Sequence, residues 1–143
     1  MKTLLIIGSV YKLNIDTMTK EDKDLLLKDL SGRLPYGVMC KSEGTFGIES
    51  EYTAPLSNIC LHRCTFGAKC KDILDVRPYL IPLSNMTEEQ REEYIKTFIP
   101  VNRLIFYPTP ESFDWLNAHH FDYRGLIEKG LAIDATNLNI YQS

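Results

Sequence analysis

Two short segments hold most of the residue types that could do chemistry. In the first, Cys60, His62 and Cys64 alternate along the chain and Cys70 follows, and thiolate and imidazole ligands of this kind suggest zinc. On a strand the three alternating side chains point to one side, but the outer two then lie about 13 Å apart, at ~3.3 Å per residue. One tetrahedral ion with bonds near ~2.3 Å cannot hold both unless the chain bends sharply. We therefore predict small buried thiols and no cofactor, and keep these four residues as weak metal candidates.

The second segment is His119-His120-Phe121-Asp122. Adjacent histidines on a helix diverge by about 100° and cannot easily share a metal ion. Asp122 could orient one imidazole, as carboxylates do in general-base and metal sites, but it is also placed to cap a following helix. We favour an architectural role for both imidazoles. A metal-dependent hydrolase using His119, His120 and Asp122 remains as an alternative.

Familiar catalytic motifs do not occur elsewhere in the sequence. It contains no Gly-x-Ser-x-Gly elbow, no phosphate-binding Gly-Lys-Ser/Thr loop, no His-Glu-x-x-His and no Gly-x-Gly-x-x-Gly. We therefore expect binding in preference to catalysis. The candidate binding residues are Tyr36, Trp115, His119, His120, Asp122, Tyr123 and Arg124.

Composition places the chain among ordinary globular proteins. A length of 143 residues fits one domain, and 44% hydrophobic with 24% charged residues can form a core without disulfides or metal. The net charge of −3 gives no general attraction to phosphate backbones or acidic membranes. We read the four cysteines as reduced thiols and expect a cytoplasmic protein that does not engage a membrane. Residues 1–17 lack a signal-peptide cleavage pattern and are predicted to be an N-terminal strand or arm.

Three helices have clear start signals. Thr19 can cap a helix over residues 20–30, which Ser31 and Gly32 are expected to end. Thr87 and Gln90 form a capping box for a second helix, with Tyr94, Ile95 and Phe98 as its apolar side and Pro100 as its stop. Thr109 caps a third helix that has Pro110 at its first position.

The C-terminal part is predicted to continue from this third helix. Asp122 is expected to cap a short fourth helix that Gly130 closes, with Leu131 folding back as a hydrophobic clasp. Residues 131–133 are expected to add a last strand, and residues 136–143 to form a loose tail.

Between the first two helices the chain alternates short β-prone runs with turn residues. The predicted strands are 37–42, 45–52, 58–64, 69–74, 76–81 and, after the second helix, 101–107. Pro78 and Pro82 are expected to confine strand 76–81 to an edge or a bulge. The fold class is therefore α+β: a small curled antiparallel β-sheet or partial barrel with three to four short helices, and a C-terminal helix pair packing on the sheet.

A nucleic-acid-binding module is the first alternative to a protein-binding role, ahead of the hydrolase. Aromatic residues on a curled sheet beside basic side chains could form a stacking groove for bases. The residues in question are Tyr36, Phe46, Tyr52 and Phe66 with Lys41, Arg63, Lys69 and Lys71. Packing in the core is the simpler explanation of the same aromatics.

Three sequence blocks, Leu34-Pro35-Tyr36-Gly37, residues 78–89 and residues 113–131, resemble a family of uncharacterised small proteins from gut anaerobic bacteria, often carried in phage-related or mobile regions. The resemblance implies an accessory or host-interaction protein and no particular activity. We therefore expect a single-domain binding protein with an unknown protein partner.

Overall fold

A computed structural model describes residues 19–42, 52–56 and 76–141. These residues form an α+β fold in which three helices accompany a mixed sheet. The elements are α1 (Lys20–Arg33), β1 (Met39–Ser42), β2 (Tyr52–Pro55), β3 (Val76–Pro82), α2 (Glu88–Ile95), β4 (Ile99–Pro100), β5 (Phe106–Tyr107), α3 (Pro110–Ala118), β6 (Phe121–Asp122) and β7 (Ile133–Asp134). None of the helices in these ranges has the length and apolar content needed to cross a membrane.

Helix α1 begins as predicted but ends later. The Thr19 hydroxyl accepts a hydrogen bond from the Asp22 amide and so caps the first turn. Gly32 was expected to end the helix, and this expectation is wrong: the helix continues to Arg33, whose guanidinium bonds to Asp29 one turn earlier. The chain reverses through a 3-10 turn, and Gly37 is the residue with a positive φ, of 67°.

The main sheet is mixed, not purely antiparallel as expected, and it does not close into a barrel among the described residues. Strand β1 pairs antiparallel with both β2 and β3, whereas β6 and β7 pair parallel with β3. The strand order β2-β1-β3-β6 places β3 inside the sheet, so its prolines do not confine it to an edge. Pro78 is buried opposite Cys40, and a proline removes only its own donor; Ile81, for example, still donates its amide to His120.

The predicted strands 37–42 and 76–81 are confirmed with small boundary shifts. Strands 58–64 and 69–74 lie outside the described residues, as does nearly all of strand 45–52. The predicted arm at residues 1–17 lies outside them too. Only the last residue of the 45–52 prediction is described: Tyr52 is the first residue of β2.

The core lies between α1, the sheet and the turn that follows β6. Leu26 and Leu30 of α1 pack toward Leu80 of β3, and all three are at most 1% exposed. Leu126 and Leu131 close the other side. Burying side chains of this size is worth about 1.5–3 kcal/mol each, so this cluster holds α1 on the sheet.

Helix α2 has the predicted capping box, in which Thr87 and Gln90 each satisfy a backbone amide of the other. It ends at Ile95, five residues before Pro100. The continuous strand expected over residues 101–107 is wrong. The Asn102 side chain accepts hydrogen bonds from the amides of Leu104 and Ile105, which turns the chain and produces the β4–β5 hairpin.

Helix α3 starts as predicted, with Thr109 as the cap and Pro110 in its first turn. The expected fourth helix is absent from the described chain, where residues 126–130 form only a turn. The residues that were predicted to end this helix nevertheless close the turn. Gly130 has a φ of 73° and donates its amide to the Ile127 carbonyl, and the Leu131 amide donates to the Leu126 carbonyl. This is the bond pattern of a Schellman motif, and Leu131 is buried as the predicted clasp. A helix pair is therefore replaced by one helix and a closed turn.

Residues 136–143 were expected to form a loose tail. The described part of this segment, which ends at Tyr141, is attached to the sheet. The Tyr141 hydroxyl donates to the Tyr79 carbonyl at 2.6 Å and accepts from the Met39 amide at 3.0 Å. One side chain thus ties the segment to both β1 and β3. The last strand, predicted at 131–133, is β7 at Ile133–Asp134.

Candidate functional site

The corner between α3 and β6 is built on a stack of aromatic rings. Trp115 stacks on His119, with ring centroids 3.9 Å apart and an interplanar angle of 22°. Phe121 lies against the same indole at 5.8 Å, and Tyr94 of α2 at 5.5 Å. Such contacts add to the stabilisation that burial provides. Trp115 therefore joins α2, α3 and β6, and its ring faces are occupied by other rings.

The two histidines of the corner point to different partners. The His119 ring nitrogen Nδ1 lies 2.8 Å from the Trp115 carbonyl, one helical turn back. His120 has a positive φ of 63°, and its ring stacks on Tyr141 at 3.7 Å with an interplanar angle of 11°. A φ of this sign turns the chain sharply and separates the two rings. They do not converge on a common point.

His120 is held in its neutral form. Burial, followed by the positive charges of Arg33 and His119, lowers the pKa of His120 to about 4. Its Nδ1 is buried without a hydrogen-bond partner among the described residues. Burial likewise raises the pKa of Tyr141, the ring stacked on it. The pair is thus an uncharged packing contact at neutral pH.

Asp122 is committed to the backbone. Its carboxylate accepts hydrogen bonds from the amides of Leu126 and Ile127, at 3.0 and 2.9 Å. It therefore caps the turn that contains Leu126. Asp122 was predicted to cap a helix at this point, and it caps a turn. The structure does not bring His119, His120 and Asp122 together as a catalytic set.

A buried charged cluster lies behind the corner, and sequence reasoning missed most of it. Asp29 and Arg33 are both 0% exposed, and Arg33 Nε donates to Asp29 Oδ2 at 2.7 Å. Arg33 Nη2 also donates to the Phe121 carbonyl at 2.6 Å. Arg124 Nε lies 3.3 Å from Asp29 Oδ1, an ion pair whose angles are not those of a hydrogen bond. One carboxylate thus balances two guanidinium groups.

Tyr123 lies between those two guanidinium groups. The Arg33 and Arg124 carbons Cζ are 5.2 and 5.0 Å from the centre of its ring, within cation–π range. Its hydroxyl donates to the Asn117 side chain at 2.9 Å. The contacts of Tyr123 and Arg124, two of the predicted binding residues, therefore link α1 to α3. The i, i+4 spacing of Asp29 and Arg33 was the signal that could have revealed the cluster.

Tyr36 lies in the turn after α1, beside Asp114 of α3. Partial burial first, and then the Asp114 carboxylate, raise the pKa of the Tyr36 phenol. The other six predicted binding residues belong to α3 and the segment that follows it, residues 115–124.

Six of the ten exposed large hydrophobic side chains in the described residues lie on the β4–β5 hairpin and the loop that joins its strands, which we call the hairpin surface. Leu104 at its tip is 90% exposed, and the other side chains of this surface are 45–60% exposed. Its residues are Ile99, Val101, Leu104, Ile105, Phe106 and Tyr107. The sequence predicted one continuous strand over residues 101–107, because branched and aromatic residues dominate that run, and so it did not predict an exposed hairpin.

Both faces of the hairpin carry exposed apolar side chains. Opposed residues share a face, and Ile99 is opposite Tyr107 while the Val101 amide bonds to the Ile105 carbonyl. These four side chains therefore form one face. Phe106 projects from the other. A two-stranded hairpin of this kind has little stability of its own in water.

The base of the hairpin is fixed by hydroxyl groups. The Thr97 hydroxyl lies 2.7 Å from Ser112 Oγ and 2.6 Å from the Tyr94 carbonyl. The Thr109 hydroxyl donates to the Thr97 carbonyl at 2.9 Å, and the Thr109 amide donates to Ser112 Oγ at 2.9 Å. Ser112 is fully buried in α3. Both ends of the hairpin are thereby attached to α2 and α3.

The weak metal candidates Cys60, His62, Cys64 and Cys70 lie outside the described residues, as do Phe46, Phe66, Arg63, Lys69 and Lys71 of the proposed stacking groove. Within residues 19–42, 52–56 and 76–141, no group of three or more His, Cys, Asp or Glu residues is gathered closely enough to hold a metal ion.

Comparison of the chain with protein-family models, curated proteins and solved structures gave no match.

Proposed function

We propose that this protein is a non-enzymatic binding protein that holds a protein partner through the hairpin surface. The observation that carries the proposal is Leu104, 90% exposed at the tip of a hairpin whose other large side chains are at least 45% exposed. Contiguous exposed apolar patches on soluble proteins mark interaction sites. The resemblance to phage-related proteins adds the proposal that it serves as an accessory or host-interaction protein.

The anchored base of the hairpin supports a binding role. A partner that docks on a fixed surface avoids the entropic cost of ordering it. The bonds from Thr97 and Thr109 to Ser112 hold both ends of the hairpin before any partner arrives. The apolar side chains are therefore presented in advance.

Local charge favours a protein partner over nucleic acid. Residues 87–118, which contain α2, the hairpin and α3, carry six acidic and three basic residues, a net charge of −3. A surface that binds single-stranded nucleic acid combines exposed aromatics with positive charge along the backbone path. Phe106 and Tyr107 are exposed, but Arg103 is the one basic residue of the hairpin, and the two helices beside it are acidic.

The hydrolase alternative is disfavoured by the corner. Catalysis requires the acid, the base and a substrate position to meet in one place. His119 is engaged by Trp115, His120 by Tyr141, and Asp122 by two backbone amides. We propose an architectural role for all three.

A photoreactive amino acid at position 104, introduced in the native host, tests the proposal. Irradiation should produce a discrete adduct with another protein. The control places the same amino acid at Glu128, exposed on a turn whose Lys129 lies 4.0 Å from Asp22 of α1. Identical adducts from both positions, or adducts with nucleic acid alone, would contradict binding through the hairpin.

A further inference from the structure

We infer that the partner presents an apolar groove bordered by lysine and arginine side chains, into which the hairpin inserts. This inference rests on the proposed function and adds the chemistry of the partner. It follows from two features of the described residues: the charge next to the hairpin and the blocked edges of its strands.

Helix α2, which leads directly into the hairpin, carries four glutamates against one arginine, with Lys96 at its C-cap. Glu88 and Glu89 in the first turn complement the helix dipole. Glu92 and Glu93 are in the last turn, where negative charge is unfavourable. Each also repels the glutamate one turn earlier. Arg91 and the C-cap residue Lys96 are the basic residues beside them, so the helix keeps an excess of negative charge.

These four glutamates are exposed, and none forms an ion pair among the described residues. Their charge is therefore available to a partner. Complementary charge around an apolar centre accelerates association and selects partners. Basic side chains beside the groove would meet this acidic helix, whereas a second copy of the chain would bring like charges together.

The strand edges of the hairpin indicate docking by side chains and not strand addition. Because Val101 bonds to Ile105, the pair Pro100–Phe106 is the one whose backbone groups point outward. Pro100 has no amide hydrogen, so the β4 edge offers no donor at that position. On the β5 edge, the Leu104 amide is already bonded to Asn102, and Pro108 follows.

Phe106 therefore has the only backbone donor directed outward along β4 and β5, and a partner strand cannot form a ladder on one residue. Prolines at strand edges are a recognised protection against such pairing. The apolar side chains are left as the binding groups. A groove that accepts both faces of the hairpin fits them.

The test uses the purified full-length protein and two synthetic amphipathic peptides of equal length and spacing, one of leucine and lysine, the other of leucine and glutamate. Fluorescence anisotropy should show binding of the lysine peptide at about 0.15 M salt, weakening as the salt is raised. The glutamate peptide should not bind. Leu104→Asp should weaken binding at least about tenfold, since the side chain is almost fully exposed before binding.

The double variant Glu92→Gln/Glu93→Gln should weaken binding several-fold and flatten its salt dependence. The matched control, Glu21→Gln/Glu128→Gln, removes two exposed acidic residues outside α2. It should leave the affinity and its salt dependence unchanged. An equal effect of the control would overturn the inference, and so would binding of neither peptide.

Two results separate this inference from the proposed function. If both peptides bind and Leu104→Asp abolishes both, the hairpin binds but the basic border is wrong. If Leu104→Asp changes the binding of neither peptide, the proposal that the protein binds through the hairpin is itself wrong. A dimer in size-exclusion chromatography with light scattering that Leu104→Asp dissociates would identify a second copy as the occupant and overturn the inference.

Discussion

Asp29→Asn is expected to destabilise the protein strongly, because Asp29 is the only carboxylate that touches two guanidinium groups in the buried cluster. Asp29 and Arg33 are both 0% exposed, with Nε and Oδ2 2.7 Å apart. Arg124 approaches the other oxygen at 3.3 Å. The substitution keeps the shape of the side chain and removes its charge.

The magnitude follows from what remains behind. Removing one partner of a buried ion pair costs about 3–5 kcal/mol, because the other charge stays buried without compensation. The asparagine oxygen can still accept from Arg33, so we expect the lower end, about 3 kcal/mol. At about 3–4 °C per kcal/mol for a chain of this size, the melting temperature should fall by roughly 10 °C.

Urea unfolding followed by far-UV circular dichroism measures this loss. Asp24→Asn is the matched control: Asp24 lies on the same helix and is exposed, so its free energy of unfolding should change by less than about 0.5 kcal/mol. A loss below about 1 kcal/mol for Asp29→Asn would refute the role of the cluster in holding α1 to the corner. So would equal losses in the two variants.

Three other predictions concern the corner and the turns. Because the pKa of His120 is about 4 when folded and 6.5 when unfolded, stability should be full above about pH 6.5 and fall as the pH drops toward 4; melting curves of His120→Asn should show a smaller fall. Tyr141→Phe should lower the free energy of unfolding in urea by about 1–2 kcal/mol, because the Met39 amide and the Tyr79 carbonyl lose their partner. Tyr107→Phe, at an exposed ring, should lower it by less than about 0.5 kcal/mol, and equal losses in the two variants would contradict the prediction. Gly130→Ala should lower the free energy of unfolding by about 1 kcal/mol, because the φ of Gly130 is +73°. Gly32→Ala, inside α1, should raise it by about 0.5–1 kcal/mol. The reverse order in urea unfolding would contradict the helix boundary at Arg33.

Local signals predicted the helix starts well. Thr19, Thr87 and Thr109 act on amides two or three residues away, so each cap is encoded within a few positions. Gly130 likewise closes its turn through nearby bonds. The α+β class and two of the strands followed from patterns of the same range.

The predictions were wrong where contacts between residues far apart in the sequence determine the local structure. The Asp29–Arg33 pair carries α1 past Gly32, and its burial depends on Phe121, which lies 88 residues from Arg33. Tyr141 is fixed by strands that its own sequence neighbourhood does not reveal. The hairpin was missed for a different reason: one side chain, Asn102, turns a run whose branched and aromatic residues are typical of a strand.

The central claim is that the hairpin stands uncovered in the free protein, and carbene footprinting of the purified chain tests it most directly. Leu104, 90% exposed, should be labelled heavily, whereas Leu126, fully buried in the core, should be nearly unlabelled. Labelling of Leu104 as weak as that of Leu126, in the free protein at low concentration, would show that the hairpin is already covered and would contradict the proposed binding role.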